Sequence, residues 1–467
     1  MDQLYNLPEK EMKKIIKKKN LKVAIVGLGY VGTCLGVVIA ERGISVIGVD
    51  TRAEIVQKVN RGQSPINEPG VPSLIRRLVK SRKLRATTDI KKLSDCDIIL
   101  LTVGTPLAED LSPDMSAVIK ASKALGPNLN RGHMVILKST APPGTTEDIV
   151  KPLLEENSGL KEGVDFGLAF SPERLAEGTA LRDLRTIPVV VGAMDRKSSI
   201  IASEFWKSLG LRTIIVRGPK EAEMVKLLGN WWIDLNIALA NEIALLSEKV
   251  GVDAFELIHA SNTLPKGMGK VNILFPGSGV GGSCLVKDPL FVHHMGKKYG
   301  LKLKTPLVSR EINDYMPQHM FELTKEILNE LGKKISGSKI VVLGLAFKSS
   351  TGDTRYTPAK KLIDMLLDNG GNVVVFDPWV DQRDAKGVTT APRASSLENA
   401  LKNADCIVVV TDQPEFKKIA PKYIKLLVKT RFGIVDGRRA FKPEEIIAED
   451  IPYKSVGLGY SRQRCES

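Results

Sequence analysis

A strand that runs into a glycine turn, continues as a helix and returns as a second strand ending on an acid constrains this chain more than any other feature. The apolar run Val23 to Val26 leads into Gly27-Leu28-Gly29-Tyr30-Val31-Gly32, a helical run follows to Arg42, and Ser45 to Val49 closes on Asp50. The first glycine permits a tight turn, the second lets a pyrophosphate approach the helix N-terminus, and the third allows the helix to pack closely. An acid about 20 residues beyond such a turn is placed to bind ribose hydroxyls. Asp50 would repel a ribose phosphate, which favours NAD over NADP, whereas Arg52 argues the other way. Gly27, Gly29, Tyr30, Val31, Gly32, Asp50 and Arg52 are therefore candidate cofactor-binding residues.

The pattern continues and then recurs. Apolar runs at Asp97 to Val103, Met134 to Lys138 and Phe166 to Phe170 alternate with helical stretches, as in a doubly wound parallel sheet. A helical pattern from about Lys220 to Val250 closes at Gly251 and is more apolar, with Trp231 and Trp232, than one amphipathic face requires. Such a helix fits a position between domains or across a dimer interface. A further helical stretch lies around Phe321 to Leu331, and residues 332–338 read as a linker. Beyond it Ile340-Val-Val-Leu-Gly344-Leu-Ala-Phe-Lys348 restarts the strand-glycine-helix order, ending at Asp377, and Ala404-Asp-Cys-Ile-Val-Val-Val-Thr answers the earlier Asp95-Cys-Asp-Ile-Ile-Leu-Leu-Thr. The predicted fold class is α/β: two Rossmann-like doubly wound domains joined by a central helical domain with one long helix. The expected division is a basic leader (1–20), a dinucleotide-binding domain (21–218), a central helical domain (219–332) and a second Rossmann-like domain (333–467).

Composition limits what such a chain does. At 467 residues it is too long for one ordinary core, and 43% hydrophobic with 26% charged residues excludes a disordered chain. Cys34, Cys96, Cys284, Cys406 and Cys465 are scattered, without CxxC or ligand spacing to the five histidines. A reducing, cytoplasmic compartment is expected, with neither a disulfide framework nor a metal site. No apolar stretch has the length of a membrane span, and no apolar segment follows the N-terminal lysines, so neither a span nor a signal peptide is expected. The net charge of +15 suits an anionic partner, whether nucleic acid, membrane surface or phosphorylated small molecule. Lys13, Lys14, Lys17, Lys18 and Lys19, with Met12, Ile15 and Ile16 interleaved, read as a solvated, partly amphipathic leader helix.

Chemistry is carried by Gly277-Ser-Gly-Val-Gly-Gly-Ser-Cys284-Leu-Val-Lys287-Asp288. Glycines that dense let backbone approach a ligand, and the Lys and Asp beyond the thiol can tune its ionisation. In a nicotinamide enzyme a thiol can trap an aldehyde as a thiohemiacetal, whose oxidation gives a thioester that water cleaves to an acid. Lys226 and Asn230, four apart on one helical face, could hold an oxyanion, although a snorkelling Lys alone would also fit. Ser171-Pro172-Glu173-Arg174 follows a buried strand, where an acid could position hydrolytic water. In the second domain Gly344-Leu-Ala-Phe lacks the later glycines, so a nucleotide other than a dinucleotide is expected there, met by Lys348, Arg355 or Arg438, each of which could equally be a solvated surface charge.

These motifs in this order resemble the UDP-glucose/GDP-mannose dehydrogenase family from about Leu21 to the C-terminus. The resemblance rests on Val26 to Gly32, Lys138-Ser-Thr-Ala-Pro-Pro-Gly-Thr145, Ser171 to Arg174, Lys226 with Asn230, Gly281 to Asp288, and Gly344 to Lys348 with Gly352-Asp-Thr-Arg355. It implies a four-electron oxidation of a sugar C6 alcohol to a carboxylate with two NAD, a C-terminal domain that binds the UDP part, and a homodimer through the central helix. It implies that Cys284 is the nucleophile, that Lys226, Asn230 and Asp288 handle the proton and oxyanion, and that Thr140 and Glu173 orient water. Thr105, Thr140 and Lys287 join the cofactor residues, and Arg174, Lys270, Asn272, Phe275, Gly277, Lys348, Arg355 and Arg438 join the substrate residues.

The sugar is read from the flanks. Asn67-Glu68-Pro69 and Val271-Asn-Ile-Leu-Phe-Pro-Gly277 resemble the branch acting on UDP-N-acetylmannosamine, whereas Lys270, Ser283 and Lys287-Asp288 depart from it, the last toward the UDP-glucose branch. The N-acetylated hexosamine is favoured, with UDP-glucose as the alternative. A two-electron Rossmann oxidoreductase with a structural Cys284 is a second alternative. A basic nucleic-acid-binding protein is a third, but it lacks a base-reading motif or stacking stripe.

Overall fold

The computed structural model describes residues 4–459 of the chain, so Cys465 and the outer ends of the expected leader and C-terminal domain lie outside the described residues. The chain divides into two units, Met1–Gly229 and Asn230–Ser467.

The first unit is built on eight strands, β1 (Lys22–Val26), β2 (Ser45–Val49), β3 (Leu84–Thr87), β4 (Ile98–Leu101), β5 (Met134–Leu137), β6 (Gly167–Phe170), β7 (Val189–Ala193) and β8 (Thr213–Ile215), in the order β3-β2-β1-β4-β5-β6-β7-β8. Strands β4, β5 and β6 are buried along their whole length, as expected where helices cover both faces of a parallel sheet. Alternation sends Val23, Ile25, Leu100 and Ile136 to the core on one face, and Ala24, Ile99, Leu101 and Leu137 to that on the other. The sheet is not wholly parallel as the apolar pattern predicts: β7 pairs antiparallel with β6, Phe170 opposite Gly192. An antiparallel neighbour needs no crossover helix, and the connection carries only the short helix Ala180–Thr186. The leader forms the helix Glu9–Lys17, which buries Met12 and Ile16. Just before it, Tyr5 donates its N–H to Gly132 O at 2.7 Å.

The second unit holds a two-residue-stranded hairpin, β9 (Pro265–Lys266) with β10 (Gly269–Lys270), and a wholly parallel sheet of β11 (Lys339–Leu343), β12 (Asn372–Phe376), β13 (Cys406–Val409), β14 (Gly433–Asp436) and β15 (Tyr453–Ser455), ordered β12-β11-β13-β14-β15. Asp377 follows β12 as Asp50 follows β2. Its fully buried carboxylate accepts from Leu345 N at 2.8 Å, Ala346 N at 3.0 Å, Trp379 N at 2.9 Å and Gln413 Nε2 at 3.2 Å.

Two long helices, Pro219–Val250 and Thr305–Glu330, carry a buried polar cluster. The second helix starts well before the stretch at Phe321 that the apolar pattern predicts, with Pro306 in its first turn, where a missing N–H costs nothing. Asp234 accepts from Arg310 Nη1 at 2.7 Å, Ser309 Oγ at 2.8 Å and Asn313 Nδ2 at 2.8 Å. Asp234→Ala leaves the Arg310 guanidinium in the interior with its buried partner removed, so unfolding in urea is expected to show a loss of roughly 3–5 kcal/mol. A loss under about 1 kcal/mol would show that the remaining Asp314 carboxylate, with water, satisfies Arg310.

Candidate active site

In the first unit the glycine turn joins β1 to the helix Tyr30–Glu41. Gly27 has φ +97°, and a Cβ on Gly32 would stand 1.9 Å from Gly27 O, so the turn closes only around glycine. A Cβ on Gly29 would meet no protein atom within 4 Å, which leaves that side open to a ligand. This cradle fits a dinucleotide pyrophosphate. Asp50 accepts from Leu28 N at 2.8 Å, Arg52 N at 3.0 Å and Arg52 Nε at 3.2 Å. Burial opposes the Asp50 charge, but the Arg52 and Leu28 hydrogen bonds outweigh it and hold the carboxyl below its ordinary range. Arg52 is thus engaged by Asp50, which answers the sequence argument for a ribose phosphate. The Tyr30 hydroxyl donates to Glu68, whose carboxylate also accepts from Gly178 N at 2.7 Å and Ala180 N at 2.8 Å. Thr105 is buried in the segment after β4.

The same edge of this sheet carries the acid. Glu173 lies after β6, is buried, and accepts a hydrogen bond from Leu175 N. Lys226 Nζ stands 3.9 Å from it, so the helical Lys faces an acid in the interior and does not snorkel to solvent. Burial pushes the Glu173 carboxyl up, against the opposing charges of Lys226 and Lys138 and the Leu175 hydrogen bond. Thr140 follows β5 and is partly exposed. Arg174 turns away, donating to Pro188 O.

In the second unit the cysteine loop is laid on the C-terminal ends of the parallel strands. Ser278 Oγ donates to Val410 O, just past β13, at 3.1 Å, and Gly282 N donates to Arg355 O at 3.0 Å. A Cβ on Gly281 would come within 2.6 Å of Tyr356 O, so backbone lies directly on backbone there. Cys34, Cys96 and Cys406 are buried, and burial pushes each of these thiols up, whereas Cys284 is partly exposed. Asp288 opens the helix Asp288–Lys298 and is fully buried. Its carboxylate accepts from Asn230 Nδ2 at 2.5 Å and pairs with Lys287 Nζ at 2.6 Å, while its N–H donates to Cys284 O at 2.9 Å. Lys287 is also held over the Phe291 ring, 4.4 Å from its centroid.

Arg438 meets this loop: Nη2 lies 3.5 Å from Gly279 O, and a Cβ on Gly277 would strike Nη1 at 2.6 Å. Its Nε is buried with no hydrogen-bond partner among the described residues, and burial depresses its pKa against the Asp412 charge. Lys348 is partly exposed and lies over Phe347. Arg355 is exposed and paired with Asp353. Lys270 and Asn272 are exposed near the hairpin, and Phe275 stacks on Phe255 at 5.1 Å. The structure thus gathers Asn230, Cys284, Lys287 and Asp288 in one cluster, sets Gly277 and Arg438 together, and leaves Lys270 and Asn272 on an open surface.

Sequence reasoning passed over Glu68 as anything but a branch marker, and it gave Lys138 no role. Lys138 Nζ donates to Ser171 O at 3.2 Å and Pro172 O at 3.3 Å, in the turn that presents Glu173. The available signal was a lysine ending a strand that is otherwise wholly apolar. Among the described residues no helix is long and apolar enough to cross a membrane, and no group of His, Cys, Asp or Glu could hold a metal ion.

Comparison with known proteins agrees with both units. Family models of the UDP-glucose/GDP-mannose dehydrogenases match residues 21–210 as the NAD binding domain, 220–315 as the central domain and 341–443 as the UDP binding domain. UDP-N-acetyl-D-mannosamine dehydrogenase of Pyrococcus horikoshii is 36% identical, covering 94% of this chain and all of the relative. UDP-glucose 6-dehydrogenase of Haloferax volcanii is 35% identical over 90% of this chain and 97% of its own length. A solved structure of the Pyrococcus horikoshii UDP-D-ManNAc dehydrogenase superposes with a TM-score of 0.85 at 34% identity, covering 94% of this chain and all of that one. With an open glycine cradle in its first unit and a thiol loop in its second, the chain belongs to the UDP-glucose/GDP-mannose dehydrogenase family and is an NAD-dependent nucleotide-sugar dehydrogenase.

Proposed function

We propose that the chain oxidises UDP-N-acetyl-D-mannosamine to UDP-N-acetyl-D-mannosaminuronate through a covalent bond to Cys284. The observation that carries the mechanism is the partly exposed Cys284 thiol, set in a glycine loop beside the buried Asp288 carboxylate, while Cys34, Cys96 and Cys406 are buried. Gly27, Gly29 and Gly32 would cradle NAD, with Asp50 placed for its ribose, and two NAD bound in turn would each accept one hydride, one per oxidation. Lys226 stabilises the C6 alkoxide, because a neutral alcohol is a poor hydride donor. The Cys284 sulfur adds to the aldehyde carbon, and Asn230 donates to the developing oxyanion. Thr140 and Glu173 orient the water that cleaves the thioester, and the Glu173 carboxylate takes its proton. Asp288, already bonded to Asn230 and Lys287, keeps that amide and ammonium in place.

The sugar assignment is supported by the N-acetylmannosamine dehydrogenases among the relatives, and the Haloferax volcanii enzyme supports UDP-glucose as the second reading. A panel of UDP-sugars assayed by NADH absorbance tests both. UDP-N-acetyl-D-mannosamine is expected to give the highest kcat/KM, with two NADH formed per sugar. A higher value for UDP-glucose would reassign the substrate, and a ratio of one would leave a two-electron oxidoreductase with a structural Cys284.

A further inference from the structure

We propose that Lys138 is a positioning residue for the hydrolytic half of the reaction, its ammonium gripping the Ser171-Pro172 turn so that Glu173 faces the water that cleaves the thioester. This rests on the reading of Glu173 given above. Lys138 follows directly on the apolar strand β5, and it is 3% exposed. Removing an ammonium from water is costly unless its donors are met. Here two N–H groups are taken by Ser171 O and Pro172 O, and the ammonium lies 4.6 Å from the centroid of the Trp206 ring. Both carbonyls belong to the two residues immediately before Glu173. Trp206 grips the same turn from its indole, Nε1 donating to Ser171 Oγ at 3.2 Å.

A methionine would fill this space without the desolvation cost. A cation that spends its donors on one turn sets the direction of what the turn carries. Beside it is a cavity of about 30 Å³, lined by Lys138, Pro172, Glu173, Asp183 and Trp206 among others, with room for a water or for a longer cationic side chain.

The step served is hydrolysis. Water oxygen adds to the thioester carbonyl, Glu173 accepts the water proton, the C–S bond breaks, and Cys284 leaves as a thiolate from the carboxylic acid formed. Three charged groups act on Lys138, Glu173 and Arg174 after β6 and Lys226 on the helix Pro219–Val250, and Asp183 on the helix Ala180–Thr186 lines the same cavity. Burial pushes the Lys138 ammonium down to about 8, Glu173 opposing and Arg174 and Lys226 adding to the effect. Lys138 is therefore charged and gripping below about pH 8, and the grip is lost as pH rises through that value.

The test is intact-mass spectrometry of enzyme quenched during turnover of UDP-N-acetyl-D-mannosamine with NAD, together with steady-state kinetics. Lys138→Met is expected to accumulate the acyl adduct on Cys284 and to lower kcat about tenfold to hundredfold, with KM for the sugar little changed. Lys138→Arg, which keeps its charge at high pH, is expected to restore turnover and to lack the fall above about pH 8 that is expected of the unaltered enzyme. Glu173→Gln checks the underlying reading. No adduct in Glu173→Gln would overturn the assignment of Glu173 and this inference with it. An adduct in Glu173→Gln without one in Lys138→Met would overturn the inference alone. Should Lys138→Met not fold, the pH profiles decide, and an identical basic limb in Lys138→Arg and the unaltered enzyme would overturn it.

Discussion

Cys284→Ser is expected to abolish carboxylate formation while leaving NAD affinity unchanged. Serine is nearly the size of cysteine, and the Cys284 backbone carbonyl, which accepts from Lys287 N and Asp288 N, is unchanged by the substitution, so the loop is expected to keep its shape. The chemistry does not survive. An ordinary thiol is a few per cent thiolate near neutral pH and the thiolate is intrinsically very nucleophilic, whereas a hydroxyl needs a base to act as a nucleophile at all. Loss of a catalytic nucleophile costs on the order of 10³ to 10⁶ in rate, and a loss in that range is expected for acid production. Product chromatography with NADH counting reads the result, and turnover equal to that of the unaltered enzyme would assign the thiol a structural role.

The second large effect is expected at Gly32→Ala. The added methyl would stand 1.9 Å from Gly27 O and 2.7 Å from Thr102 Oγ1, and both are fixed, since Thr102 Oγ1 donates to Gly27 O at 2.8 Å. The turn must open or the helix Tyr30–Glu41 must lift, and such overpacking costs roughly 1–3 kcal/mol. If that cost falls on the bound form, NAD affinity drops about tenfold to hundredfold. Gly29→Ala is the matched control, because its methyl meets no protein atom within 4 Å. It is expected to leave the melting temperature unchanged and to weaken NAD only through the approach of the ligand itself. Titration of protein fluorescence with NAD, beside thermal melts, separates the two; equal melting temperatures and equal affinities in both variants would show that the turn adapts.

Periodicity and punctuation made much of this architecture legible. The run from Val23 through Gly32 to Asp50 states a strand, a turn, a helix and a strand, and each signal is local. The antiparallel β7 was hidden because strand direction depends on how the chain returns, and Val189 to Ala193 reads the same either way. Helix ends were hidden for a similar reason: the polar residues from Ser309 to Asn313 look like surface until Asp234 is placed against them. At the candidate site, Cys284, Asp288 and Asn230 stood out by type and spacing. Lys138 did not, because its partners are carbonyl oxygens, which no side-chain pattern records.

Asp50 and Asp377 show how far one motif position can diverge in use. A carboxylate has about four acceptor directions. At Asp377 the protein fills all four, with three backbone N–H groups and the Gln413 amide. Asp50 has three filled, one of them by the side chain of Arg52, which is 57% exposed. Only the first acid retains acceptor capacity for a hydroxyl that arrives from outside. Counting vacant lone pairs, rather than matching letters, separates the two look-alike folds: one acid keeps room for a further donor, and the other has become a rivet.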